Sequence, residues 1–255
     1  MITIKSAEEL NRMRASAEIA AEAMRRAVQA VSVGITTGEI DQIVNDTIVK
    51  AGATPSFKGY NGFPGAACVS MNAEIVHGIP SMQRVLQEGD IVSIDLGAYY
   101  KGYHSDMART VGVGNISKEA EKLIAVTKES FFAGIAKATA GTRLVEVSRA
   151  IEAVAKEHGY GIIRELVGHG IGQNLHEAPD IPNYGGARKG PMIRAGMTFA
   201  IEPMFSLGSE HMVVAKDDWT ALTQDGSLSA HYENTIAVMP EGPPEILTIP
   251  KGVDV

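Results

Sequence analysis

Apolar positions recur at helical spacing in four stretches of the chain and alternate with polar ones through most of the rest. Ser6, followed three residues later by Glu9, forms a capping-box pattern and predicts a helix over residues 7–31. Thr36 and Glu39 repeat the device and predict a second helix ending near Ala51 and Gly52. Alternating segments and turn signals follow over 55–114. Ser117 opens a third helix, to about Ala138, and a fourth runs over 145–158 with Gly159 as its C-cap. The order is two helices and a sheet, twice.

The two halves also match in sequence at a constant offset of 107 residues. Gly34, Glu39, Ile40 and Ala51-Gly52 become Gly141, Glu146, Val147 and His158-Gly159, and Gly89 to Asp95 maps onto Gly196 to Glu202. A single match carries little weight, whereas a shared offset across three elements predicts an internal duplication, with halves of about 1–114 and 115–255. The expected fold is α+β: one domain over 1–255, with pseudo-twofold helices backing one curved antiparallel sheet.

The strands carry the chemistry. Over 91–97, Ser93 and Asp95 share one face, while Val92, Ile94 and Leu96 share the other. A turn near Lys101-Gly102 brings Asp106, Ala108 and Thr110 back on a common face, with Asp106 expected roughly opposite Asp95. Alone, that pair reads as two solvated acids on a hairpin. Glu202 with Thr198 and Ala200, and Glu233 with Thr235 and Ala237, repeat the arrangement. Four acids among small residues, each backed by larger ones, would be costly to bury unpaired. Cations resolve the conflict, and an oxygen-rich set with a histidine suits a pair of Mn, Fe, Co or Zn ions about 3.5–4 Å apart.

His169 and His176 are seven residues apart in a glycine-rich stretch, which is not the spacing of a helical zinc site. On an extended chain that odd spacing sends the rings to opposite sides, one to metal and one elsewhere. His77, in His77-Gly78-Ile79-Pro80, is a third candidate. His104, His158 and His211 read as structural or surface groups, and His231 has no role assigned from sequence.

Composition narrows the class. Acids outnumber bases 30 to 23, for a net charge of −7, so no basic nucleic-acid footprint is expected. Cys68 is the one cysteine, which suits a reducing compartment. The first residues lack the apolar core of a signal peptide, and no apolar run is long enough for a bilayer. A cytoplasmic monomer without membrane or nucleic-acid partners is the expectation.

Taken in order, these motifs resemble the type I methionine aminopeptidases of the pita-bread fold. The similarity spans nearly the whole chain: His77-Gly78-Ile79-Pro80, Asp95-Leu96-Gly97, the Asp106 strand, Gly168-His169-Gly170-Ile171-Gly172, His176-Glu177, Thr198 to Pro203 and Leu228 to Thr235. The resemblance implies five metal ligands, Asp95, Asp106, His169, Glu202 and Glu233, with Asp106 and Glu233 shared between two divalent ions. It implies that His77 and His176 hold the scissile amide, that Glu202 shuttles the proton, and that metal and His176 stabilise the oxyanion. Tyr60, Cys68 and Trp219 match positions of the methionine pocket; Phe63 stands where the family commonly has tyrosine, and Leu175 where it commonly has an aromatic residue. A structural monovalent cation near Asn72 and Ser229 is implied too, as are N-terminal methionyl peptides and nascent chains as substrates, with transient ribosome association. Relatives that cleave before proline usually carry a separate N-terminal domain, and type II enzymes an insertion after the second histidine. About 65 residues precede the first matching strand and 26 separate His176 from Glu202, so neither pattern fits. Non-catalytic proteins on this fold commonly lose ligands, and all five are present.

Overall fold

A computed structural model describes residues 2–187 and 189–249 of the chain, so the ends of the expected 1–255 domain lie outside it. The capping boxes form as expected. Ser6 caps helix α1 (Ala7–Ala30) and Thr36 caps α2 (Thr37–Lys50), each exchanging side-chain and backbone hydrogen bonds with the glutamate three residues on. Helix α3 (Lys118–Ile135) starts after Ser117 but stops three residues short of Ala138, because Lys137 and Ala138 donate to carbonyls only three back and tighten the chain out of the helix. Helix α4 (Val145–His158) ends at Gly159, whose φ of +70° gives the left-handed cap.

The strands assemble into one nine-stranded antiparallel sheet and two small three-stranded sheets, rather than one sheet alone. The order along the main sheet is Thr54–Pro55, Ile91–Tyr100, Tyr103–Gly112, Glu233–Ala237, Thr198–Ile201, Gly168–Gly170 and Glu177–Ile181. Ala67–Met71 also pairs with Ile91–Tyr100, and Glu245–Ile246 with Glu233–Ala237.

Period-two alternation decides which side of the sheet the helices cover. Val92, Ile94, Leu96 and Met107 pack with Ala20, Met24, Ala27, Ile40 and Val44 of α1 and α2. Phe199, Ile201, Tyr232 and Ile236 pack with Leu123, Phe131, Val147 and Ile151 of α3 and α4. Burying a side chain of this size contributes roughly 1.5–3 kcal/mol, so a one-residue slip of any central strand would forfeit several such terms. The helix layer thereby fixes which face carries Asp95, Asp106 and Glu233.

The halves repeat in backbone detail. Thr36 bridges Val85, and Arg143 bridges Met192, 107 positions on in both partners. The Gly34 N–H donates to the Leu86 carbonyl and the Gly141 N–H to that of Ile193, both at 2.9 Å, and the two glycines share a left-handed φ of +95° and +92°. These bonds recur at the same offset of 107 residues as the sequence matches.

Gly97 faces Asp106 across the central hairpin, and a Cβ there would lie 2.6 Å from the Ser105 carbonyl oxygen and 2.9 Å from Ser56 Cβ. Gly97→Ala is therefore expected to cost about 1–3 kcal/mol, the usual scale of overpacking, measured as a lower urea midpoint at unchanged slope. An unchanged midpoint would show that the hairpin has slack at this position.

Candidate metal centre and substrate cleft

Register places the acids. The tight turn at Lys101-Gly102 pairs Tyr100 with Tyr103, which sets Asp95 against Ala108 and Asp106 against Gly97. Asp106 is thus one step diagonal from Asp95 on the same face, where the sequence reading placed it only roughly opposite. Glu233 pairs with Ala108 on the next strand, Thr235 with Ala200, and Ala200 with His169. Glu202 lies one residue past its strand, Thr198–Ile201, and reaches the same face. Thr235 Oγ1 accepts the Asp106 N–H and donates to the Asp106 carbonyl, both at 2.9 Å, so the Asp106 backbone is held from the neighbouring strand.

The two histidines depart from the extended-chain expectation. Residues 171–176 bend instead of continuing the strand, and the His169 and His176 rings come together with centroids 4.1 Å apart. His169 Nδ1 donates to the Gly170 carbonyl at 2.7 Å, which leaves the Nε2 lone pair facing Asp106 Oδ2 at 3.9 Å and Glu202 Oε1 at 3.6 Å. His176 Nδ1 lies 2.9 Å from the Tyr60 hydroxyl. His77 lies across from them, edge-on to Trp219.

The electrostatics of this face are those of a cation site. Burial, followed by the neighbouring acids, pushes the carboxyls of Asp106, Glu202 and Glu233 well above the usual carboxylate range, and burial raises Asp95 as well. Asp95 Oδ1 and Asp106 Oδ1 are buried with no hydrogen-bond partner. Burial lowers His169 to about 3, and lowers His77 and His176, so the imidazoles are neutral. Ligand atoms of Asp106, His169 and Glu233 all lie within 4.8 Å of one another. Orphaned carboxylate oxygens beside a neutral imidazole whose second nitrogen is already engaged fit a divalent cation.

Around these groups lies a cleft of about 190 Å³. It is lined by an acid wall of Asp95, Asp106, His169, Glu202 and Glu233, by the apolar or aromatic side chains of Tyr60, Phe63, Leu175 and Trp219, by Cys68, which pairs with Asp95 on the adjacent strand, and by His77 and His176. The candidate catalytic, methionine-pocket and divalent-metal residues read from the sequence thus meet in one place. Phe63 packs edge-on against Trp219 at 5.2 Å between centroids, and Leu175 is buried beside them, so the tyrosine and aromatic positions of the resemblance are filled by apolar groups. His104 bonds Ser56, His158 stacks on Tyr160 and His211 pairs with Glu165, and none of the three lines the cleft. Asn72 and Ser229 are neighbours, the Ser229 N–H donating to the Asn72 carbonyl at 2.9 Å.

Sequence reasoning missed Phe57 and Asn61, which also line the cleft. They belong to a turn-rich segment that has no periodicity to mark them. It also missed Arg109, buried on the helix side between Ala108 and Thr110. The guanidinium donates to the carbonyls of Ala108 and Glu233 and to Asn234 Oδ1, and lies 4.2 Å from the centre of the Tyr232 ring. Burial lowers it to about 10, so it remains a cation directly behind the acids. A lone charge on the apolar face of a strand was the signal available for it.

Carboxyls with raised values bind protons more tightly in the fold than in the unfolded chain, so metal-stripped protein must lose stability as pH climbs from about 4, the unfolded value, through the higher folded ones. Cations that neutralise the face should remove the effect. Below about pH 6.5 the buried neutral histidines act in the opposite direction, so the Tm of chelator-treated protein is expected to fall between about pH 7 and about pH 8, while that of protein reloaded with Mn(II) stays level. A stripped protein whose Tm rises over that range would contradict the shared burial of the acids.

Residues 11–240 match the family model of metallopeptidase family M24. A methionine aminopeptidase of Clostridium acetobutylicum is 50% identical over 98% of this chain and 99% of its own length, and methionine aminopeptidase 1 of Bacillus subtilis is 48% identical over 95% and 97%. The crystal structure of methionine aminopeptidase from Thermotoga maritima superposes with a TM-score of 0.95 at 42% identity, covering 98% of this chain and all of that one. The prolidase of Pyrococcus furiosus is more distant, with a TM-score of 0.78 at 26% identity, and this chain covers 65% of it. The chain belongs to metallopeptidase family M24 and, within it, to the type I methionine aminopeptidases.

Proposed function

We infer that this chain is a metal-dependent aminopeptidase that removes an N-terminal methionine when the second residue is small. The observation that carries the reading is the mixed lining of one cleft, where acids and an imidazole meet apolar side chains of the kind that suit a thioether. The full-length similarity to methionine aminopeptidases supports it over cleavage before proline.

Asp95, Asp106, His169, Glu202 and Glu233 would hold two divalent ions, drawn from Mn, Fe, Co or Zn. When bound, such ions make a water nucleophilic near neutral pH and polarise a carbonyl. The residues of the chain supply the rest. Methionine enters between Phe63, Leu175, Cys68 and Trp219 and leaves its carbonyl at the acid wall. His77 holds the scissile amide. With the Tyr60 hydroxyl donating to Nδ1, His176 keeps its Nε2–H for the oxygen on which negative charge develops. Glu202 accepts a proton from the attacking water and returns it to the departing amine.

Nascent chains in the cytoplasm are the substrates this reading implies, met by a monomer with transient ribosome contact. Support comes from the lone buried Cys68 and from the described residues, in which no helix is long and apolar enough to cross a membrane. A structural monovalent cation between Asn72 and Ser229 belongs to the same reading.

The ligand assignment separates three variants. Asp106→Ala should abolish turnover and lower metal content. His169→Ala should weaken metal binding, whereas His176→Ala should lower kcat by roughly 10²–10³, the scale of one lost oxyanion donor, with metal content intact. Equal metal loss in both histidine variants would overturn the division of roles.

Selectivity follows from room. Ser93, Ala108, Ala200 and Thr235, the residues beside the acids on their strands, are small, and on this reading the peptide backbone comes close to the acids with little space for the second side chain. Tripeptides compared by kcat/KM should show Met-Ala-Ser cleaved well and Met-Lys-Ser poorly. Leucine in first position should be tolerated in part, since a methylene is worth about 1–3 kcal/mol in such pockets. Equal rates for alanine and lysine at the second position would refute the steric basis.

A further inference from the structure

His231 ends the Ser229–His231 strand two residues before Glu233 and is 1% exposed. Its backbone is pinned, with the N–H donating to Thr110 Oγ1 at 2.8 Å and the carbonyl accepting from the same hydroxyl at 2.9 Å. The ring is aimed at the acids, Nε2 lying 3.7 Å from Glu202 Oε2 and 4.0 Å from Glu233 Oε2. Among the described residues, neither ring nitrogen has a hydrogen-bond partner. Glu202 therefore sits between two imidazoles, with Oε1 toward His169 and Oε2 toward His231.

The two imidazoles are not equivalent. His169 gives its Nδ1–H to a carbonyl and turns a bare Nε2 toward the cleft, as a ligand must. His231 has no acceptor for an Nδ1–H. A proton there would leave a buried donor orphaned and would set the Nε2 lone pair against two carboxylates. With the proton on Nε2, the donor faces the acids and Nδ1 is left as a bare acceptor, the less costly orphan. The gap of 3.7 Å exceeds hydrogen-bond range, about 2.7–3.2 Å, so the proposed bond requires the Glu202 carboxylate to move toward the ring.

We propose that His231 is a positioning residue for Glu202, its Nε2–H holding the carboxylate oxygen that points away from His169 so that the other keeps its direction into the cleft. This rests on the reading of Glu202 as the proton-accepting group. The cost of losing His231 then falls on turnover more than on substrate affinity, and a side chain that still donates restores it.

Two measurements on the full chain test this. The ring-nitrogen ¹⁵N shifts of His231 are read in metal-stripped and Zn(II)-loaded wild-type protein. Protonated Nε2 with unprotonated Nδ1 in both is expected; an Nδ1–H form, or Nε2 bound to zinc, would overturn the proposal. Independently, His231→Leu should lower kcat for Met-Ala-Ser about tenfold to a hundredfold, the scale of one hydrogen bond to a charged group, with KM little changed, and His231→Gln should recover most of the loss. Equal kcat in His231→Leu and wild type, or no recovery with glutamine, counts against it. If wild-type protein loaded with metal does not cleave the peptide at all, the aminopeptidase reading has failed, while the nitrogen shifts still decide the orientation of His231.

Discussion

The structure turns on the mutual repulsion of Asp95, Asp106, Glu202 and Glu233, gathered on one water-poor face of a sheet. Among the described residues, no lysine or arginine lines the cleft to offset them. Arg109 stands behind the sheet and stabilises through the strand, by way of the Glu233 carbonyl, and the imidazoles at the face are neutral. Four such groups stay together because the opposite sides of their strands are committed to the helix layer. Any strand that rotated its acid outward would expose Val92, Ile94, Phe199, Ile201 or Ile236 in exchange. Packing energy on one side of the sheet is thus stored as electrostatic strain on the other, and divalent cations relieve it.

Function follows from the contrast between the walls of the cleft. The acid wall is built on sheet strands whose register is set by hydrogen bonds and turn geometry, so its ligand atoms are held by rigid elements. The apolar wall comes partly from turn segments, Phe57 to Phe63 and the bend that carries Leu175 and His176, and from Trp219. Such a wall can change side chains without moving the acids. Phe63 and Leu175, where the resemblance led us to expect a tyrosine and an aromatic residue, pack in one apolar cluster with Trp219.

Much of this was legible in the sequence because it rests on short-range regularities. Capping boxes at Ser6 and Thr36, the cap at Gly159 and strict alternation around Asp95, Glu202 and Glu233 are local signals, and the helices and faces they predicted are present. Where the reading slipped, the deciding factor was a turn. The hairpin register moved Asp106 one step from its expected partner, and the bend after Gly170 brought together two rings that an extended chain would separate. Arg109 and His231 were passed over for another reason. Each takes its meaning from groups on strands distant in sequence, Glu233 and Asn234 for the first and Glu202 for the second.

The relief of repulsion by cations can be measured as protons. Carboxyls raised by burial are partly protonated near pH 6 without metal and must release protons when cations bind. Calorimetric titration of Mn(II) into chelator-treated protein, repeated in buffers of different ionisation enthalpy at that pH, counts them. Net proton release accompanying the filling of two sites per chain is the expected result. Binding without proton release, or no binding to the stripped protein, would contradict a cluster of buried acids held together by metal.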